Sequence, residues 1–209
     1  MQKDTIDKSR IRISAASIDR IIISGKYLLI LNKSRLKENK RIYTPVGGAI
    51  KIEPSSVEYL KNNLDAEFED EKDKELRLSL PKKYLLKFQD WFYKRRGREI
   101  TPYRELKEEL IDESKLLNYF SKEEIKIRYA GCHINKGITD RPGQSGKETI
   151  RFLELFDVSF SEKIKDKILN SYQKNEFVSL VGKDEIENKM TRDGIQIAST
   201  ALLLIRDSI

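Results

Sequence analysis

A single cysteine, Cys132, and a single histidine, His133, stand in 209 residues. One thiol excludes an internal disulfide framework and a cysteine-built zinc site. One imidazole leaves any Ser-His-Asp arrangement resting on a single residue, and no nucleophile motif accompanies it. Long apolar runs are also missing. The longest, near Ile21–Leu31 and Ile197–Ile205, are too short or too interrupted to span a bilayer. No signal-peptide pattern opens at Met1, no internal repeat recurs and no low-complexity linker divides the chain. The expectation is one cytoplasmic domain over residues 1–209, long enough to bury a real core.

Charge is what the chain has in abundance. Charged residues make up 36% against 38% hydrophobic, and 41 Lys+Arg outweigh 34 Asp+Glu for a formal net charge of +7. That excess favours anionic partners, phosphates first, but it is spread too evenly to indicate extended nucleic acid.

Alternation and apolar runs predict the elements. Ile11 and Ile13 alternate with charges as a short strand or its lead-in, and Ile21–Ser24 and Tyr27–Leu31 read as a hairpin joined at Gly25-Lys26. A charged loop, Arg35–Arg41, precedes a strand that enters and leaves a Gly47-Gly48 turn, where backbone can approach a ligand closely. A helical insertion over about 53–100 follows. It holds a short helix at Val57–Leu64, an acidic solvated stretch at Asp65–Glu75, and a helix carrying Leu85, Phe88, Trp91 and Phe92. Lys94, Arg95, Arg96 and Arg98 then form a basic cluster, read either as solvated helix-end cations or as a phosphate-facing rim. Strands are expected at Ile125–Ile134 and Thr149–Phe160. The loop between them, Asn135–Glu148, carries Lys136, Arg141 and Lys147 and suits a lid over phosphates. A helix at Ser161–Tyr172, a strand at Phe177–Val181, a helical turn at Asp184–Lys189 and a packed helix at Ile195–Ile205 complete the chain. Alternating helices and strands give an α/β class with a mixed sheet.

The chemistry concentrates in Thr101–Asp112, TPYRELKEELID. Thr101-Pro102 is a helix-start signal, a capping hydroxyl followed by a residue with no N–H to satisfy. Tyr103, Leu106 and Leu110 share one apolar face, and Glu105, Glu108 and Glu109 share roughly the opposite one. Three crowded carboxylates repel one another, and a hard cation such as Mg²⁺ reverses that sign.

The order Arg104-Glu105-Leu106-x-Glu108-Glu109 resembles the centre of a Nudix box, G-x5-E-x7-R-E-U-x-E-E-x-G-U with U aliphatic. Gly47-Gly48, in TPVGGAI, resembles the glycine pair that opens it. Three features depart from the pattern. Ile111 and Asp112 stand where a glycine and an aliphatic residue belong, and Arg96 falls at the upstream glutamate position unless Glu99 supplies that carboxylate. The span from Gly48 to Arg104 is also far longer than the pattern. The resemblance implies a Nudix-like α/β/α sandwich with a mixed sheet and an insertion between the glycine turn and the box helix. With TPVGGAI, the long insertion and ITPYRELKEEL together, the chain resembles the SMODS-associated Nudix domain of bacterial CBASS anti-phage systems.

In that branch the resemblance implies a sensor that binds a cyclic di- or trinucleotide and controls an effector. The effector or a transmembrane segment would lie outside this chain and could hold it at the inner face of the membrane, and ligand binding could drive homo-oligomerisation. The expected ligand-binding residues are Tyr43, Gly47, Gly48, His133, Asn135, Lys136, Arg141 and Lys147. His133 reads either as a base-stacking group or as a plain strand histidine. The resemblance also implies an alternative, second to the sensor: a Mg²⁺-dependent hydrolase of a nucleoside diphosphate derivative. There Glu105, Glu108 and Glu109 bind the metal and activate water, and Arg104 holds a glutamate in place.

Overall fold

Seven odd-numbered positions set the first element. Ile11, Ile13, Ala15, Ser17, Asp19, Ile21 and Ile23 are all buried, while most of the even positions between them reach solvent at least in part. Period-two burial over this length makes one 14-residue strand, β1 (Arg10–Ile23), where the sequence suggested two short pieces. The computed structural model describes residues 9–70, 72 and 74–206, so Glu71 and Asp73 of the acidic stretch lie outside the described residues. A two-residue turn at Ser24-Gly25 registers Ile23 against Lys26 and starts β2 (Lys26–Leu31), as a hairpin should.

After a helical turn α1 (Lys33–Leu36) come β3 (Ile42–Pro45), α2 (Pro54–Leu64), β4 (Glu67–Phe68), β5 (Arg77–Pro81) and α3 (Leu85–Tyr93). The box helix α4 (Tyr103–Lys107) leads to two long strands, β6 (Ile125–Ile138) and β7 (Glu148–Phe160). The chain closes with α5 (Glu162–Ser171), β8 (Val178–Val181), α6 (Lys183–Asn188) and β9 (Gln196–Ile197). The β3–β9 pair is parallel, while β1–β2, β1–β5, β2–β3, β2–β8 and β4–β5 are antiparallel. This is a mixed-sheet α/β protein of Nudix-like class. Among the described residues no helix is long and apolar enough to cross a membrane.

The described residues gather into two compact units. The first comprises the chain up to Ala16, Ala49–Ile100 and His133–Leu153. Its sheet pairs β5 with β1 and with β4, and its core packs Phe92 against Phe152 with the rings tilted and 4.8 Å between centres, with Phe88 edge-on to Phe152 at 5.5 Å. Arg98 belongs to this core. Its guanidinium lies over the Phe92 ring at 3.9 Å, and Nη2 donates to the Phe92 carbonyl at 2.9 Å. It is only 4% exposed, so the basic cluster is no uniform phosphate rim: Arg98 is a packing residue, while Lys94 and Arg96 face solvent. Likewise Glu69 is not a solvated acid, because it closes on the buried Arg12.

The second unit takes Ser17–Gly48, Thr101–Cys132 and Glu154 onward. Ile21, Ile23, Leu28 and Ile30 from the hairpin meet Phe156, Val158 and Phe160 of β7 and Ile164 and Ile168 of α5 in its core. Leu106 and Leu110 of the box seal that core, each fully buried, and each contributes about 1.5–3 kcal/mol of apolar burial. The C-terminal segment corrects the sequence expectation. Gln196–Ile197 pairs with β3, and Ser199–Leu203 forms a short 3₁₀ helix rather than a long α-helix. A strand partner far away in sequence outcompetes local helical periodicity here.

Candidate functional site

The box begins without its expected cap. The chain enters α4 at Pro102, whose carbonyl accepts from the Leu106 N–H at 2.9 Å, and no side chain caps that end. From Glu108 to Glu113 the helix widens into a π-helical turn, in which the Ser114 N–H reaches back five residues to the Glu109 carbonyl at 2.9 Å. Ile111, at the position of the late glycine, packs against the core instead.

Opposite the box, the glycine turn is fastened to β1 through backbone. The Asp19 N–H donates to the Val46 carbonyl at 2.8 Å, and the Ser17 N–H to the Gly48 carbonyl at 2.9 Å. Gly47 has φ +129°, and a Cβ there would stand 2.4 Å from the Ser17 carbonyl oxygen. A Cβ on Gly48 would strike the Glu105 carboxylate at 2.3 Å. Close approach to backbone therefore requires glycine at position 47, whereas at position 48 the contact is with the movable end of a box carboxylate.

The box carboxylates take different partners. Glu109 accepts from the Gly47 N–H at 2.6 Å. Arg104 bonds Glu105 at 2.7 Å and Glu108 at 2.8 Å. Burial holds the Glu109 carboxyl well above the usual carboxylate range. The Gly47 N–H pulls it down, while the charges of Glu105, Asp19 and Glu113 push it further up.

Asp19 is the residue that sequence reading missed. It is 0% exposed, and neither carboxylate oxygen has a hydrogen-bond partner. Burial, then the charge of Glu105, raises its carboxyl well above the ordinary value; the Ser17 hydroxyl pulls the other way but completes no hydrogen bond. No local pattern marked it, because Ser17 and Asp19 interrupt the apolar alternation that would identify β1 as one strand.

Among the described residues, no three His, Cys, Asp or Glu side chains stand close enough to hold a metal ion by themselves. Glu105, Glu108 and Glu109 are thus on one element but not in one seat. Nudix domains generally use divalent metals. The donors here fit in kind, since they are hard carboxylate oxygens and the Asp19 pair is acceptor capacity left open.

The other expected site residues have their own settings. Tyr43 is buried in β3 with its hydroxyl donating to the Glu176 carbonyl at 3.4 Å. His133, Asn135, Lys136, Arg141 and Lys147 belong to the first unit. His133, Asn135 and Lys136 lie on β6, which extends to Ile138 and shortens the expected loop. Lys136 pairs with Glu148 at 2.8 Å and Arg141 approaches Glu69 at 3.9 Å. Lys147 is exposed, and its backbone bonds Thr139 and Gln144. Glu99, the alternative upstream glutamate, is also in the first unit, where its carboxylate accepts from the Lys51 N–H at 2.8 Å.

A family model described as the SMODS-associated NUDIX domain matches residues 10–205. No curated protein and no solved structure matches.

Proposed function

The chain belongs to the SMODS-associated NUDIX domain family, and on that basis we propose that it is a nucleotide sensor of bacterial CBASS anti-phage signalling. Its ligand would be a cyclic di- or trinucleotide held at the Gly47-Gly48 turn, and its output would pass to an effector outside this chain. The observation that carries this reading is how the box carboxylates are used. Glu109 braces the turn through the Gly47 N–H, and Arg104 ties up Glu105 and Glu108. Side chains committed to holding a backbone shape suit a receptor, whose task is complementarity to a ligand. The excess positive charge favours the ligand's phosphates.

A hydrolase reading draws on one of the same contacts. Arg104 holds Glu105 at 2.7 Å, the relation an active Nudix box uses to position a glutamate. A divalent cation at Glu105 and Glu109 would neutralise charge on phosphoryl oxygens; Arg104 would keep Glu105 oriented and the glycine turn would present backbone to the phosphates.

The test incubates the purified chain and Mg²⁺ with cyclic dinucleotides, cyclic trinucleotides and linear nucleoside diphosphate compounds. Melting temperature and compound integrity are read on the same samples. A rise with one cyclic compound recovered intact is expected. Cleavage of a linear diphosphate, abolished by Glu109→Gln, would instead establish the hydrolase.

A further inference from the structure

A carboxylate with no partner for either oxygen, at 0% exposure, is a costly thing to fold around. Asp19 is that group, and its surroundings say what it faces. It shares the buried face of β1 with Ile21 and Ile23, which pack in one core with Leu106 and Leu110 of the box helix. Its backbone N–H is bonded to Val46, the residue before the turn whose Gly47 N–H holds Glu109. Asp19 and Glu109 therefore converge on one turn, from the strand and from the helix. The charges of Glu105 and Asp19 both act on Glu109, and that of Glu105 acts on Asp19.

We propose that Asp19, outside the box, is a ligand for a divalent cation that enters this site together with a phosphate group. Three protein carboxylates do not meet in one place, and Mg²⁺ does not require that they should. It is commonly held by one or two carboxylates and completes an octahedral shell with water and phosphate oxygens. Asp19 offers two open acceptor oxygens, and the Glu105 carboxylate, which lies where a Gly48 Cβ would be, is a second donor at the same turn. The cation would join protein to ligand phosphate, which makes metal and phosphate binding mutually dependent. This rests on the site taking a phosphorylated ligand, but not on that ligand being cyclic.

The experiment uses the full chain, stripped of metal, with Mn²⁺ alone, methylenediphosphonate alone, and both together. Melting temperature and Mn²⁺ binding by electron paramagnetic resonance are both read. In the wild type the pair should raise the melting temperature by more than the two separate shifts added. Asp19→Asn, which keeps the shape and removes the charge, should melt higher than wild type without metal. It should also lose the joint gain and bind Mn²⁺ about tenfold or more weakly, since even outer-shell changes cost that much. Three results would overturn the proposal. These are an Asp19→Asn variant with the wild-type joint gain, no joint gain in the wild type, or an Asp19→Asn variant less stable than wild type in metal-free buffer, which would reveal an internal partner. Because the probe is a bare diphosphonate, a negative result here leaves the cyclic-nucleotide assay standing, and the reverse.

Discussion

The Gly47 N–H donates to the Glu109 carboxylate at 2.6 Å, across 62 residues of sequence. One hydrogen bond thus joins the glycine turn to the box helix over an insertion that separates them in the chain. Glu109→Gln keeps an acceptor for that N–H, whereas Glu109→Ala removes it and leaves a half-buried donor unpaired. Urea unfolding should place the alanine variant below the glutamine variant by about 1–2 kcal/mol. Equal stabilities would show that the bond does not hold the turn.

The two glycines should respond differently to alanine. At Gly47 the new Cβ would meet the Ser17 carbonyl at 2.4 Å with φ at +129°, so backbone must move, at a cost of about 2–3 kcal/mol. At Gly48 it would meet only the end of the Glu105 side chain, which can swing away for about 1 kcal/mol or less. Gly48→Ala should therefore melt close to wild type yet lose the Arg104–Glu105 pair, and with it ligand-induced stabilisation. Thermal melts with and without ligand separate the two effects.

Asp19 and Glu109 both have carboxyls raised by burial, which fixes the sign of a pH effect. Unfolded, such groups titrate near about 3.9 and 4.3. Above those values, and up to the folded pKa, the native state holds more protons than the unfolded chain. The stability they lend is fully present below the unfolded pKa and is lost as pH rises through the folded one. Glu148, lowered by Lys136 and Lys82, contributes with the opposite sign, so the useful quantity is a difference. In metal-free buffer the stability of Asp19→Asn minus that of wild type should grow as pH rises from about 4. A difference that stays flat would place the Asp19 proton elsewhere.

The box was legible because its chemistry is written in consecutive residues. Arg104, Glu105, Glu108 and Glu109 state their roles at fixed spacing, and Leu106 and Leu110 show the face that is buried. Asp19 was not legible, since its meaning depends on a strand whose continuity Ser17 and Asp19 themselves obscure. The Ile195–Ile205 run misled for a related reason: a short apolar stretch suits helix or strand, and its pairing with Ile42 and Tyr43 is a contact no local pattern encodes. Thr101 carried the right residue type for a cap, but the chain turns into the helix one residue later. The Asn135–Glu148 loop shrank because β6 continues to Ile138.

Arg98 offers the sharpest contrast between a phosphate contact and a structural cation. Its Nη2 and Nε donate to the Phe92 carbonyl at 2.9 and 3.3 Å, its Nη1 to the Glu99 carbonyl at 2.9 Å, and its plane covers the Phe92 ring. Phe92 in turn packs against Phe152, so the guanidinium finishes one wall of that aromatic core. Arg98→Ala would remove three hydrogen bonds to backbone carbonyls and open a void against the ring, costing about 2–4 kcal/mol in urea unfolding. Arg98→Lys should fall between, because a point charge cannot reproduce a planar fork lying on an aromatic face. Arg96→Ala, on an exposed side chain two residues away, should stay within about 0.5 kcal/mol of wild type. A phosphate-rim role predicts the reverse for Arg98, with stability kept and affinity for phosphate lost. Its burial and three backbone hydrogen bonds favour the loss of stability.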